Sequence, residues 1–113
     1  MKRLLVLALS VGIVSFQFCS PAKKAQKEPA KTNFESGVSP IIAANCSPCH
    51  TPPNGKSGIL STYDAAKSHI DNIISRIQKN PGEKGFMPFK HDKLSDSTIQ
   101  VFVKWKNDGL LEK

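Results

Sequence analysis

The sequence predicts a small all-α domain of three to four helices, on three observations. Apolar residues recur at helical spacing in two stretches: Ala66, His69, Ile70, Ile73, Ile74 and Ile77, then Ile99, Phe102, Val103 and Trp105. Both stretches are bracketed by residues that start and stop helices, and a further start signal stands at Ser39-Pro40. No stretch alternates apolar and polar residues with period two, so nothing reads as a strand. The 113 residues hold one domain at most, and there is no internal repeat.

Residues 1–18 read as an export signal. Lys2 and Arg3 precede an apolar run from Leu4 to Phe18, interrupted only by Ser10, Gly12, Ser15 and Gln17. Its 15 residues fall short of the roughly 20 that a membrane-spanning helix needs. Cys19 follows at once, in a position that resembles the lipid-modified cysteine of bacterial lipoproteins. It is expected to be the mature N-terminus and the site of lipid attachment. The alternative is cleavage after Ala22, with Ser20 and Ala22 as the small residues, which discards Cys19. Residues 19–32 contain no large apolar side chain and read as a basic flexible tether. The expected location is the periplasmic side of a bacterial membrane or cell envelope, with the membrane engaged through the lipid.

Of the net charge of +7, the leader carries +2, the tether +3 and residues 33–113 only +2, ten basic side chains against eight acidic. The basic balance is therefore not a nucleic-acid signature, and no nucleic acid is expected as a partner. The tether lysines suit anionic lipid or cell-wall polymer, and equally suit a solvated linker.

Residues 33–113 form the expected domain, small enough to need a staple beyond its apolar core. Ser39 is a plausible N-cap with Pro40 at the first helical position, and Ile41, Ile42, Ala43 and Ala44 lead into Cys46. Cys46-Ser47-Pro48-Cys49-His50 is a C-x-x-C-H run, the attachment signature of a c-type haem. Two cysteines at this spacing suit thioethers to the two haem vinyl groups, and His50 then lies under the iron as a neutral nitrogen ligand. A thioredoxin-like redox pair, half a zinc site and two ordinary buried cysteines are the alternatives. The first needs a βαβ pattern, which is missing; the second needs a fourth ligand, and the remaining Cys19 lies in the leader.

Residues 51–58 are rich in turn formers and read as a loop along one porphyrin edge. Ser61-Thr62-Tyr63-Asp64 has the layout of a capping box, opening a helix that runs to about Asn80, where Pro81-Gly82 ends it. Its isoleucine stripe is expected to face the core and the haem together. Residues 83–90 read as a loop. Leu94 and Ser95 then supply a hydrophobic staple and an N-cap for the last helix, and Gly109 supplies its stop.

Met87 is the only methionine outside the leader and lies in a loop between two helices, where its thioether can swing over the haem face opposite His50. Pro88 disfavours helical backbone at Met87. A gap-filling core methionine is the alternative. His69 and His91 are candidate replacements for Met87, and a five-coordinate iron is a further possibility. Arg76 reads as a solvent-facing helix arginine, with a haem propionate as its other candidate partner.

The order Cys46-Ser47-Pro48-Cys49-His50, Met87-Pro88, Leu94-Ser95, Ile99, Trp105, Gly109 resembles the class I monohaem c-type cytochromes across Val38 to Leu110. Gly58 to Asp64 is also similar to the middle segment of a branch of that family. The resemblance implies a small cytochrome c-like fold of three to four helices packed around one covalently bound haem c. It implies Cys46 and Cys49 as thioether sites, His50 and Met87 as iron ligands, and Trp105 packing the last helix against the first. Val38 and Ile42 stand where the family often carries glycine and an aromatic, so that helix crossing is expected to differ. The implied function is single-electron transfer between other redox proteins, with no catalysis. The rivals are a haem-based gas or redox sensor, an electron-transfer subunit of a larger oxidoreductase, and a peroxidase. A diheme peroxidase of this family would need a second C-x-x-C-H, and the sequence has one.

Overall fold

The structure, a computed structural model, describes residues 28–113; the expected export signal at 1–18, the lipid attachment at Cys19 and the tether as far as Lys27 lie outside the described residues. The first helical turn starts at Asn33, earlier than the expected cap at Ser39. Asn33 is extended, and its side-chain oxygen accepts the Ser36 N–H at 2.9 Å and the Ser36 hydroxyl at 2.8 Å. A π-helical turn over Phe34–Val38 runs directly into helix α1, Ser39–Asn45. Ser39 is thus inside a continuous helical segment, and Pro40 sits in the first turn of α1 as expected. Phe34, Val38 and Ile42 stand four residues apart on one face, and all three are buried.

The expected single helix over the isoleucine stripe is two helices, α2 (Tyr63–Ser68) and α3 (Ile70–Ile77). Thr62, rather than Ser61, is the cap, its side chain accepting the Ala65 N–H at 3.3 Å. The break falls at His69 (φ −109, ψ 8), whose N–H is shared between the Ala65 and Ala66 carbonyls at 3.2 and 3.3 Å. The stripe survives the break: Ala66, Ile70, Ile73 and Ile77 are buried and Ile74 packs against them, whereas His69 is exposed. The helix stops at Ile77 with Gln78 as its cap, just ahead of the Pro81-Gly82 breaker.

Helix α4, Asp96–Asn107, begins as expected, with Ser95 Oγ accepting the Thr98 N–H at 3.2 Å. Its end is a Schellman turn: the Gly109 N–H goes to Lys106 O at 3.2 Å and the Leu110 N–H to Trp105 O at 2.9 Å, with Gly109 at φ +97. Ile99, Phe102 and Trp105 face inward and are buried.

The beginning and end of the domain meet at one pole. The Phe34 N–H donates to Leu111 O at 2.8 Å and the Glu35 N–H to Glu112 O at 3.1 Å, around an isolated parallel bridge between Asn33 and Leu111. Trp105, 0% exposed, lies against Phe34 and Tyr63 with ring centroids 5.9 and 6.3 Å away, and its indole N–H donates to Leu111 O at 2.8 Å. Trp105 thus has two aromatic partners, Phe34 from the first helical turn and Tyr63 from α2. Beside this pole, the Thr32 N–H donates to the Asp108 carboxylate at 2.6 Å and Lys104 Nζ to Ala30 O at 3.3 Å, so the last tether residues lie on the end of α4.

Among the described residues the regular structure is helical, with no strand, as the periodicity predicts. None of these helices is long and apolar enough to cross a membrane. Helix α4 packs against the first helical turn and against α3, and the end of α1, Leu94 and Phe102 border a cleft.

Candidate functional site

The cleft encloses about 350 Å³, within the range of cofactor pockets. Cys46, Cys49, His50 and Met87 all line it, so the four residues singled out within the domain are brought together. Cys19 lies outside the described residues.

The end of α1 positions the pentapeptide. Cys46 caps the helix, its N–H donating to Ile42 O at 2.9 Å, and the His50 N–H donates to Cys46 O at 2.9 Å. A tight turn thus carries His50 round beside the cysteines. Cys46 is half-buried against the core and Cys49 is exposed; neither is in a disulfide. Burial pushes the Cys46 thiol above its ordinary pKa.

His50 is held by the loop that follows. Its Nδ1 stands 2.8 Å from Gly58 O, and the Leu60 N–H donates to His50 O at 2.9 Å, folding residues 51–58 back over the ring. A carbonyl oxygen can only accept, so Nδ1 carries the proton and donates. In the neutral ring the other nitrogen, Nε2, then keeps its lone pair, the form that binds a metal.

Met87 comes from the loop between α3 and α4. Phe86 on one side and Pro88 on the other are both buried, and the Met87 N–H donates to Arg76 O at 3.3 Å. Met87 itself is half-buried, as a side chain facing a cleft should be. Leu60, Ile73, Ile77, Leu94 and Phe102 complete an apolar wall. His69 and His91 also line the cleft, and both are exposed.

Two further residues bear on this site. Arg76, read as solvent-facing, is half-buried and lines the cleft, because its guanidinium folds back over Asn72 and the loop of Met87. Phe86 is 9% exposed, a core side chain inside a stretch that reads only as loop. One isolated aromatic has no period to betray it.

Among the described residues, no group of three or more His, Cys, Asp or Glu is placed to hold a metal ion by itself. The lining of the cleft is largely apolar. It offers two thiols at one edge, an imidazole with a free nitrogen, a thioether and an aliphatic wall. No protein-family model, curated protein or solved structure matches the chain.

Proposed function

We propose that this chain is an exported, lipid-tethered single-electron carrier of the class I monohaem c-type cytochrome kind. In this reading Cys46 and Cys49 would hold the haem by thioethers, and His50 Nε2 and the Met87 sulfur would ligate its iron. The observation that carries it is the His50 Nδ1 contact with Gly58 O, 2.8 Å, in a cleft that Met87 shares. That contact orients the ring and leaves the ligating nitrogen bare before any iron is considered.

Haem c supplies a reversible one-electron change at its iron. The rest is the work of the chain. Gly58 O fixes the tautomer and the orientation of the His50 ring. Met87 contributes sulfur, which raises the reduction potential relative to two histidines. Leu60, Ile73, Ile77, Leu94 and Phe102 keep water from the ring faces. With His50 and Met87 both ligating the iron, the site would leave no place for a substrate, so this reading is electron transfer without bond making. A thioredoxin-like redox pair would sit in a βαβ unit, whereas the regular structure of the described residues is helical.

The expected partners are other redox proteins, met in small and short-lived encounters. Lys56, Lys84 and Lys90 are exposed, on loops that also supply cleft residues, and Lys93 is half-buried. Phe89, 65% exposed, lies in the cleft lining beside Lys90. His69 and His91 support a second reading, two-histidine ligation, since both reach the same cleft.

Absorption spectra separate these. The oxidised protein should show the weak far-red band of iron–methionine bonding, and Met87→Ala should abolish it. A high-spin parent that binds carbon monoxide rapidly would favour a sensor or peroxidase, and a low-spin parent without the band would favour a histidine in place of Met87.

A further inference from the structure

We infer that Arg76 is the positioning residue for Met87, gripping the loop that presents the thioether; the assignment rests on the haem reading above. Arg76 lies in the last turn of α3. Its Nε–H donates to Asn72 Oδ1 at 2.8 Å, one turn back along the same helix, which sets the plane of the guanidinium. So oriented, Nη1 reaches Gly85 O at 3.4 Å. The carbonyl of the same residue accepts the Met87 N–H at 3.3 Å. Arg76 therefore holds the loop on both sides of Phe86, once through its side chain and once through its main chain.

The approach at Gly85 is close. Gly85 sits at φ +85, and a Cβ there would come within 3.3 Å of Arg76 Nη1. Each contact to the loop is long and weak alone. Together they fix the main chain on either side of Phe86, immediately before the ligand, and the guanidinium makes one of them charge-assisted. Two lysines hold more distant parts of this loop: Lys79 Nζ donates to Lys84 O and Lys93 Nζ to Asn80 Oδ1, both at 3.0 Å. Of these three cations only Arg76 lines the cleft that Met87 faces. A lysine at 76 could reach Gly85 O but could not also brace against Asn72 in a fixed plane.

An iron–thioether bond would persist only while the loop keeps the sulfur in place, since His69 and His91 line the same cleft and could replace it. Arg76→Ala in the full, haem-loaded chain should weaken or remove the far-red band of the oxidised form. Carbon monoxide binding to the reduced form should accelerate about tenfold to a hundredfold, the scale of losing an outer-sphere partner. Arg76→Lys should restore part of the band. Amide exchange at Met87 should quicken in Arg76→Ala and stay unchanged in Lys79→Ala, which should also keep the band. An unaltered band and carbon monoxide rate in Arg76→Ala would overturn the assignment. Equal effects from Lys79→Ala would also overturn it, by reducing it to general loosening of the loop. A parent protein without the far-red band would instead remove the Met87 ligation on which the assignment rests.

Discussion

Trp105 is the side chain whose loss the domain should feel most. It is 0% exposed, wedged against Phe34 and Tyr63, and donates its indole N–H to Leu111 O. Truncating a buried tryptophan to alanine costs about 3–5 kcal/mol through lost burial and the cavity left behind. A domain of 81 residues, 33–113, has only about 4–12 kcal/mol to lose. Trp105→Phe separates packing from hydrogen bonding. Leu111 O also accepts the Phe34 N–H at 2.8 Å, so losing the indole does not orphan a buried carbonyl. The missing bond alone should then cost about 1 kcal/mol, the net value of an ordinary hydrogen bond. Denaturant unfolding of the exported chain, analysed by linear extrapolation with matched slopes, measures both changes. A Trp105→Phe loss as large as that of Trp105→Ala would refute the reasoning, because the hydrogen bond and not the packed ring would then be holding the pole together.

Three further outcomes follow from charge and position. The Lys104 ammonium and the Thr32 N–H hold the Asp108 carboxyl below the usual carboxylate range, so this contribution is complete above the unfolded value and fades as pH falls through the folded one. Asp108→Asn should therefore be less stable than the parent at neutral pH, with the difference shrinking below about pH 3.9; a pH-independent difference in unfolding midpoints would contradict the ion pair. Electron-transfer rates with an acidic redox partner should fall as ionic strength rises, and a flat salt response in stopped-flow traces would remove the steering role of Lys56, Lys84, Lys90 and Lys93. Cys19→Ser should move the mature protein out of the membrane fraction, and an unchanged distribution would remove the lipid anchor.

Legibility in the sequence followed the length of the physical signal. The isoleucine stripe, the Ser95 cap and the Gly109 stop are local, and the structure has all three. The cysteines, His50 and Met87 were visible as residue types with a chemical purpose, and the fold brings them to one cleft. What was hidden depended on distant partners. The row Phe34, Val38, Ile42 is one residue wide, and Ser39-Pro40 imitates a helix start inside it. The break at His69 follows no Gly or Pro; its N–H is divided between two carbonyls, which no propensity scale registers. The Gly58 carbonyl facing His50 and the Arg76 grip on Gly85 are contacts made across loops, fixed only once the loops have closed.

The most direct test is the intact mass of mature protein recovered from the cell envelope, taken with and without a thiol-alkylating reagent. A chain heavier than its polypeptide by one haem, coloured, with Cys46 and Cys49 both refractory to alkylation, is the predicted result. Colourless protein at the bare polypeptide mass, taking up reagent at both cysteines, would contradict the proposed haem attachment on which the rest of the proposed function depends.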